Sequence, residues 1–219
     1  MVTTDNEEYA WIAKSFRDHG YDVKERLSLL ELEQKLPYIH NMVGWNYRMT
    51  EMQSAIGLAE LDRMDNWNMP TRRRNAKILI DALRERPEVK YFPIDTPERQ
   101  NGWYVLAFSL DVEKMNCDIQ QFVKAASAEG APCWKVFWPQ CHTERAFREF
   151  NSFGRSGFPF RSKEYTTPSS VDYSKVEVPN AIWHEGHTFT CFAYPTFTED
   201  DMHQIAAALV KVIKAYTKL

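Results

Sequence analysis

The chain has 219 residues, 44% of them hydrophobic and 26% charged, with a formal net charge of −3. That length and apolar content suffice to bury a core, and the near-balanced charge leaves no electrostatic footprint for nucleic acid. No apolar run reaches the ~18 residues of a membrane span, and the first residues, Met1-Val-Thr-Thr-Asp-Asn-Glu-Glu, carry neither the basic nor the apolar region of a signal peptide.

The predicted elements run as follows. Asp5 is placed to cap a helix, with Glu8 completing a capping box. Tyr9, Ile12, Ala13 and Phe16 follow at helical spacing, and Gly20 is a terminator. Residues 21–45 lack a clear period and read as a long loop with one helical turn around Leu29–Leu36. Thr50 caps the next helix, with Gln53 at the reciprocal capping-box position, and Met52, Ala55, Ile56 and Ala59 mark an apolar face. The pattern reaches Trp67, breaks at Pro70 and resumes through Ala76, Leu79, Ile80 and Leu83 until Pro87. Within it the Arg72–Arg74 run follows helical periodicity and reads as a solvated face.

Beyond residue 88 strands alternate with helices, which argues for a small α/β layer domain. Trp103–Leu110, Cys133–Trp138 and Thr188–Ala193 read as strands. Ile119, Phe122, Val123 and Ala126 mark a helix closed by Gly130, and Ala146–Phe150 falls in a short helix. Residues 151–181 form a long irregular stretch holding Arg155, Arg161, Lys163 and Tyr165, a candidate substrate entry. Thr198 caps the last helix, whose core face is Met202, Ile205, Leu209, Val212, Ile213 and Tyr216.

Cys117, Cys133, Cys141 and Cys191 form no C-x-x-C pair and read as reduced thiols of a cytoplasmic protein. His184-Glu-Gly-His187 is one residue short of the zinc motif H-E-x-x-H. It reads as a turn entering a strand, and no metal site is expected.

The most specific stretch is Gly44-Trp-Asn-Tyr-Arg-Met-Thr50. Asn46 and Arg48 lie just ahead of a helix start, where free N–H groups attract anions. An amide and a charged fork beside such an end equip it for phosphate or carboxylate. The bland reading stays open: Asn46 satisfies loop backbone and Arg48 pairs with Glu51.

Gly44–Trp67 (GWNYRMTEMQSAIGLAELDRMDNW), followed by RRRNAKILIDAL, resembles the DegT/DnrJ/StrS-type sugar aminotransferases. Their pattern here is G-x-N-Y-R-[ML]-x-E-x-Q-A-A-[IL]-x-x-x-Q-L, with Ser54 and Glu60 as departures. TTDNEEYAWIAKSFRDHG, AASAEGAPCWKVFWPQCHTERAFREF and FAYPTFTEDDMHQIAAAL are similar to further family segments, so the resemblance covers nearly the whole chain. It implies an α/β fold, part of a fold-type-I pyridoxal phosphate (PLP) transferase. Residues 1–48 would be a remnant of the large PLP-binding domain with its active-site loop, 49–86 a long kinked interdomain helix, and 87–219 the C-terminal α/β domain. It also implies a homodimer in which Asn46 and Arg48 contact the PLP phosphate held by the other subunit, with Tyr47 packing the loop or turning its hydroxyl into the cofactor site. Trp138 and His142 stand at the family's Y-P-P-L-H position and would face a nucleotide-sugar or cyclitol substrate; a packing role for His142 stays open.

The family's Schiff-base lysine lies upstream of the V-T-D segment that Met1-Val-Thr-Thr-Asp resembles. Lys14, Lys77, Lys124 and Lys211 read as solvated charges of amphipathic helices. The resemblance therefore implies a portion of an enzyme that moves an amino group from Glu or Gln to a keto sugar or cyclitol. Alone the chain would hold no PLP covalently and be catalytically silent, or it would need a separately made N-terminal half. The alternative is a non-catalytic remnant serving as a binding or assembly module.

Overall fold

The computed structural model describes residues 2–24, 27, 44–136, 140–151, 157–166 and 172–218. It falls into two compact units, Met1–Arg63 and Met64–Leu219. The helical turn expected around Leu29–Leu36 lies outside the described residues.

In the first unit, helix α1 (Glu7–Arg17) is capped by Asn6 rather than Asp5: the Asn6 side chain accepts the Tyr9 N–H at 3.0 Å. The register is one residue later than expected, because Asn and Asp are near-equal caps and pattern alone does not choose between neighbours. The helix stops where His19 (φ 62°) and Gly20 (φ 77°) turn left-handed, and the Asp18 and Gly20 N–H groups both donate to the Ser15 carbonyl. Helix α2 (Glu51–Arg63) opens on the expected box, with Gln53 N–H donating to Thr50 Oγ1 at 3.2 Å and Thr50 N–H to Gln53 Oε1 at 2.9 Å. No side chain of α2 is buried; Met52, Ile56, Leu58 and Leu61 are all exposed.

The second unit begins with a π-helical turn, Met64–Asn68, followed by α3 (Met69–Arg84), with Pro70 in its first turn. A four-stranded sheet has the order β1-β2-β4-β3 with every neighbour antiparallel: β1 Val89–Tyr91, β2 Leu106–Leu110, β3 Cys133–Lys135 and β4 Thr188–Cys191. All three expected strands are shorter than read. The longest fails at its start, where Trp103 is buried with φ at 50° and interrupts the extended chain. Residues 137 and 138, the end of the second, lie outside the described residues.

Alternation along β2 sends Leu106, Phe108 and Leu110 to one face, each fully buried. Phe108 stacks on Phe189 of β4, which also meets Phe122 of α4 (Ile119–Ala128). Burying each of these rings is worth about 1.5–3 kcal/mol, so the trio anchors the core. Leu79 and Leu83 of α3, with Met202, Leu209 and Ile213 of α7 (Glu199–Tyr216), complete it. The capping box of α7 joins Thr198 to Asp201. Between β3 and β4, α5 (Arg145–Arg148) is one short turn, and α6 (Pro179–His187) runs directly into β4. His184-Glu-Gly-His187, expected as a turn entering a strand, is therefore the last turn of a helix that leads into β4; Gly186 costs about 1 kcal/mol there but does not break it. His184 Nδ1 lies 3.2 Å from Ser109 Oγ, and no cluster of metal-ligating side chains occurs among the described residues.

Two buried polar side chains tie the unit together. Asn75 on α3 donates from Nδ2 to the Tyr194 and Phe197 carbonyls at 2.8 and 3.1 Å, holding the chain that leads into α7. Glu88 accepts from Thr217 at 2.6 Å and from Arg86 at 3.0 Å. Burial alone would raise the Glu88 pKa, but hydrogen bonds from Thr217, its own backbone and Arg86 together hold it below the usual glutamate range. A lowered folded-state pKa stabilises the fold above the unfolded value and loses that contribution as pH falls through the folded value. Denaturant titrations between about pH 3 and 6 should show stability falling with acid more steeply in the parent than in Glu88→Gln, with the two curves converging at the acid end.

Candidate functional site

The candidate site is the extended segment from Gly44 to Thr50, laid against the end of α1. Trp45 N–H donates to Phe16 O at 2.7 Å, His19 N–H to Trp45 O at 3.0 Å, and Tyr47 N–H to Arg17 O at 2.9 Å. Asp18 and Asn46 form an antiparallel bridge. Such a ladder alternates side chains. Trp45 and Tyr47 project together and stack, with ring centroids 6.1 Å apart, and Phe16 meets Tyr47 edge-on at 6.3 Å. Asn46 and Arg48 project to the other side, where Arg48 Nε donates to Asn46 Oδ1 at 3.3 Å.

The close approach that makes this possible is between two glycines. A Cβ on Gly44 would stand 2.1 Å from Gly20 N and 2.6 Å from His19 C, a backbone collision that no rotamer relieves. Gly20 supplies the left-handed turn and Gly44 the absent side chain.

From residue type and spacing Arg48 has two partners open to it, a phosphate or Glu51. Among the described residues the carboxylate it pairs with is Asp18, not Glu51: Arg48 Nε lies 3.4 Å from Asp18 Oδ1, and His19 Nδ1 lies 3.3 Å from that same oxygen. Asp18 is the residue sequence reasoning missed. It lies at the end of a different helix, and only its place in the RDHG stretch marked it. The helix-end expectation also narrows. The Gln53 N–H is taken by Thr50 Oγ1, which leaves the first-turn N–H groups of Glu51 and Met52 for an anion. Asn46 Nδ2 and both Arg48 Nη groups donate no hydrogen bond to any described residue.

The second unit holds the other predicted site residues. His142 is half-buried in a 3₁₀ turn, Cys141–Thr143, and makes no hydrogen bond or ring contact with a described residue. Trp138 lies outside the described residues, as do Phe137 and Arg155. Trp134 packs tilted against Phe192, ring centroids 4.2 Å apart, a core-type contact. Near Arg161, Phe147, Phe150, Phe160 and Tyr173 form an aromatic cluster that orders part of the irregular stretch. Lys14, Lys77, Lys124 and Lys211 are all exposed; Lys77 pairs with Asp81 and Lys211 with Glu129.

Residues 1–159 match the model of the DegT/DnrJ/EryC1/StrS aminotransferase family. The chain belongs to that family. A GDP-4-keto-6-deoxy-D-mannose 3-dehydratase of Escherichia coli O55:H7 is 25% identical over 198 residues, 87% of this chain and 46% of that protein. The crystal structure of an aminotransferase from Psychrobacter cryohalolentis superposes with a TM-score of 0.72 at 20% identity, covering 97% of this chain and 51% of that one. A GDP-4-keto-6-deoxymannose-3-dehydratase structure with a trapped PLP-glutamate geminal diamine superposes at 0.61 with 17% identity, covering 94% and 49%. The chain thus spans about half the length of the curated relatives it matches, and its α/β architecture is that of part of a family member's fold. Among the described residues no helix is long and apolar enough to cross a membrane.

Gly44→Ala should separate the segment from the end of α1. The expected cost is on the order of 1–3 kcal/mol of folding stability, read as a lower denaturant midpoint, whereas Gly57→Ala, with open space around it, should lower nothing.

Proposed function

We propose that this chain is part of a PLP-dependent aminotransferase that passes an amino group from Glu or Gln to a keto sugar or cyclitol. Asn46 and Arg48 grip the phosphate of the cofactor, and Tyr47 packs the loop that carries them. The single observation behind this reading is the one-sided donor edge. Asn46 Oδ1 and Asp18 take Arg48 Nε, while Asn46 Nδ2 and the Arg48 Nη groups stay available beside the start of α2. Charge-assisted donors of this kind suit a phosphate. Bound PLP supplies an aldehyde and an electron-accepting ring; the chain's own residues bind and orient its phosphate end.

The fit stops there. An imine-forming lysine needs shelter or a neighbour that favours its neutral form, and Lys14, Lys77, Lys124 and Lys211 are exposed to water. In this proposal the chain alone is catalytically silent and another subunit or segment holds the cofactor's aldehyde. A homodimer, with Asn46 and Arg48 reaching a phosphate held across the interface, agrees with the exposed apolar side chains Tyr9, Ile12 and Phe16 on α1 and Met52, Ile56, Leu58 and Leu61 on α2. His142, half-buried and without a described partner, is the proposed contact to a substrate hydroxyl, with Trp138 beside it in sequence.

In a cofactor-loaded preparation Arg48→Ala should weaken PLP retention by about 1.5–3 kcal/mol, and Asn46→Ala by about 0.5–1.5 kcal/mol. Equilibrium dialysis checks both, and retention equal to the parent in both variants would leave the segment a loop anchor only. The isolated chain, mixed with PLP, reduced with borohydride and peptide-mapped, should show no stoichiometrically labelled lysine. One fully labelled site would overturn the assignment of the aldehyde to another partner.

A further inference from the structure

The guanidinium of Arg48 has two edges, and the structure treats them differently. Its Nε edge faces protein oxygens, Asn46 Oδ1 at 3.3 Å and Asp18 Oδ1 at 3.4 Å. Its Nη groups donate to no described residue. The Arg48 side chain is more than half exposed, and among the described residues these two oxygens are its only polar contacts. Asp18 is itself well placed to do so. Its N–H is bonded to Ser15 O, its backbone bridges Asn46, and its side chain is only 28% exposed.

We propose that Asp18 is a positioning residue that orients the Arg48 guanidinium so that its Nη edge meets the phosphate. This rests on the reading of Arg48 as a phosphate donor. An arginine held at Nε surrenders less side-chain freedom when it captures an anion, which is the advantage of a preorganised fork. The Asp18 carboxylate also opposes an incoming phosphate through its charge. That repulsion acts across water and is screened by salt, whereas the loss of direction is local. Charge and position therefore push in opposite senses, and a single substitution would mix them.

Two neutral variants separate them. Asp18→Asn removes the charge and keeps an oxygen acceptor; Asp18→Ala removes both. The probe is pyridoxine 5′-phosphate, which has the phosphate but no aldehyde, with pyridoxine as the phosphate-free control. Titration of the full chain followed by NMR should give a dissociation constant about three- to tenfold weaker for Asp18→Ala than for Asp18→Asn, the size expected of one polar contact to the guanidinium. Independently of any ligand, the Arg48 Nε–Hε resonance should move little from the parent in Asp18→Asn and shift toward the free-arginine position in Asp18→Ala, where Asn46 Oδ1 alone still accepts it. Equal affinities and an unchanged Nε–Hε resonance in the two variants would overturn the positioning role while leaving Arg48 as a donor. No phosphate-dependent binding by the parent, or binding by Arg48→Ala as tight as the parent's, would overturn the phosphate reading itself and the role of Asp18 with it.

Discussion

The near-contact of Gly44 with the backbone of His19 and Gly20 is the constraint on which the candidate site depends. It lets the strand-like segment Trp45–Tyr47 hydrogen-bond to the last turn of α1 through Phe16, Arg17 and His19. Once that ladder exists, the side-chain alternation is fixed. Aromatic rings fall on one side and the amide and guanidinium on the other, because successive side chains of extended backbone point to opposite faces. The placement of Asn46 and Arg48 is thus a backbone property before it is a side-chain one. A glycine pair permits it, and Asp18, brought in by the turn the ladder stabilises, gives Arg48 its direction.

The two units are built on different economies of apolar surface. In the second, α3 buries Ala76, Leu79, Ile80 and Leu83 on one stripe in a core shared with α7 and with β4, a strand buried throughout. In the first, α2 buries nothing, although it carries Met52, Ile56, Leu58 and Leu61. Those four residues do not share one stripe, and a helix apolar on several sides is usually a covered one. The contrast supports the association proposed above and gives α2 a role beyond starting with a helix cap.

Much of the fold was legible in the sequence because local chemistry set it. Thr50–Gln53 and Thr198–Asp201 are reciprocal boxes that satisfy orphan N–H groups whatever surrounds them. The periodicity of Met202, Ile205, Leu209 and Ile213 named the core face of α7 directly. What escaped depended on tertiary context. β1 has three residues, too few for a period, and exists through pairing with β2. The helix over His184–His187 persists through Gly186, with His184 at hydrogen-bond distance from Ser109 of β2, a contact that no local pattern announces. At the site, Asn46 and Arg48 announced themselves by residue type ahead of a helix cap. Asp18 could not, since its partner Arg48 is thirty positions away and only the glycine contact brings them together.

Amide hydrogen exchange of the intact chain tests the central claim most directly, because the ladder predicts alternation residue by residue. The amides of Trp45 and Tyr47 donate to α1 carbonyls and His19 donates to Trp45, so these three should be protected. The amides of Asn46 and Arg48, which donate to no described backbone carbonyl, should exchange near the unprotected rate. Uniform fast exchange from Trp45 to Arg48 would mean that the segment is not held against α1 and that the donor edge of Asn46 and Arg48 is not fixed by the fold.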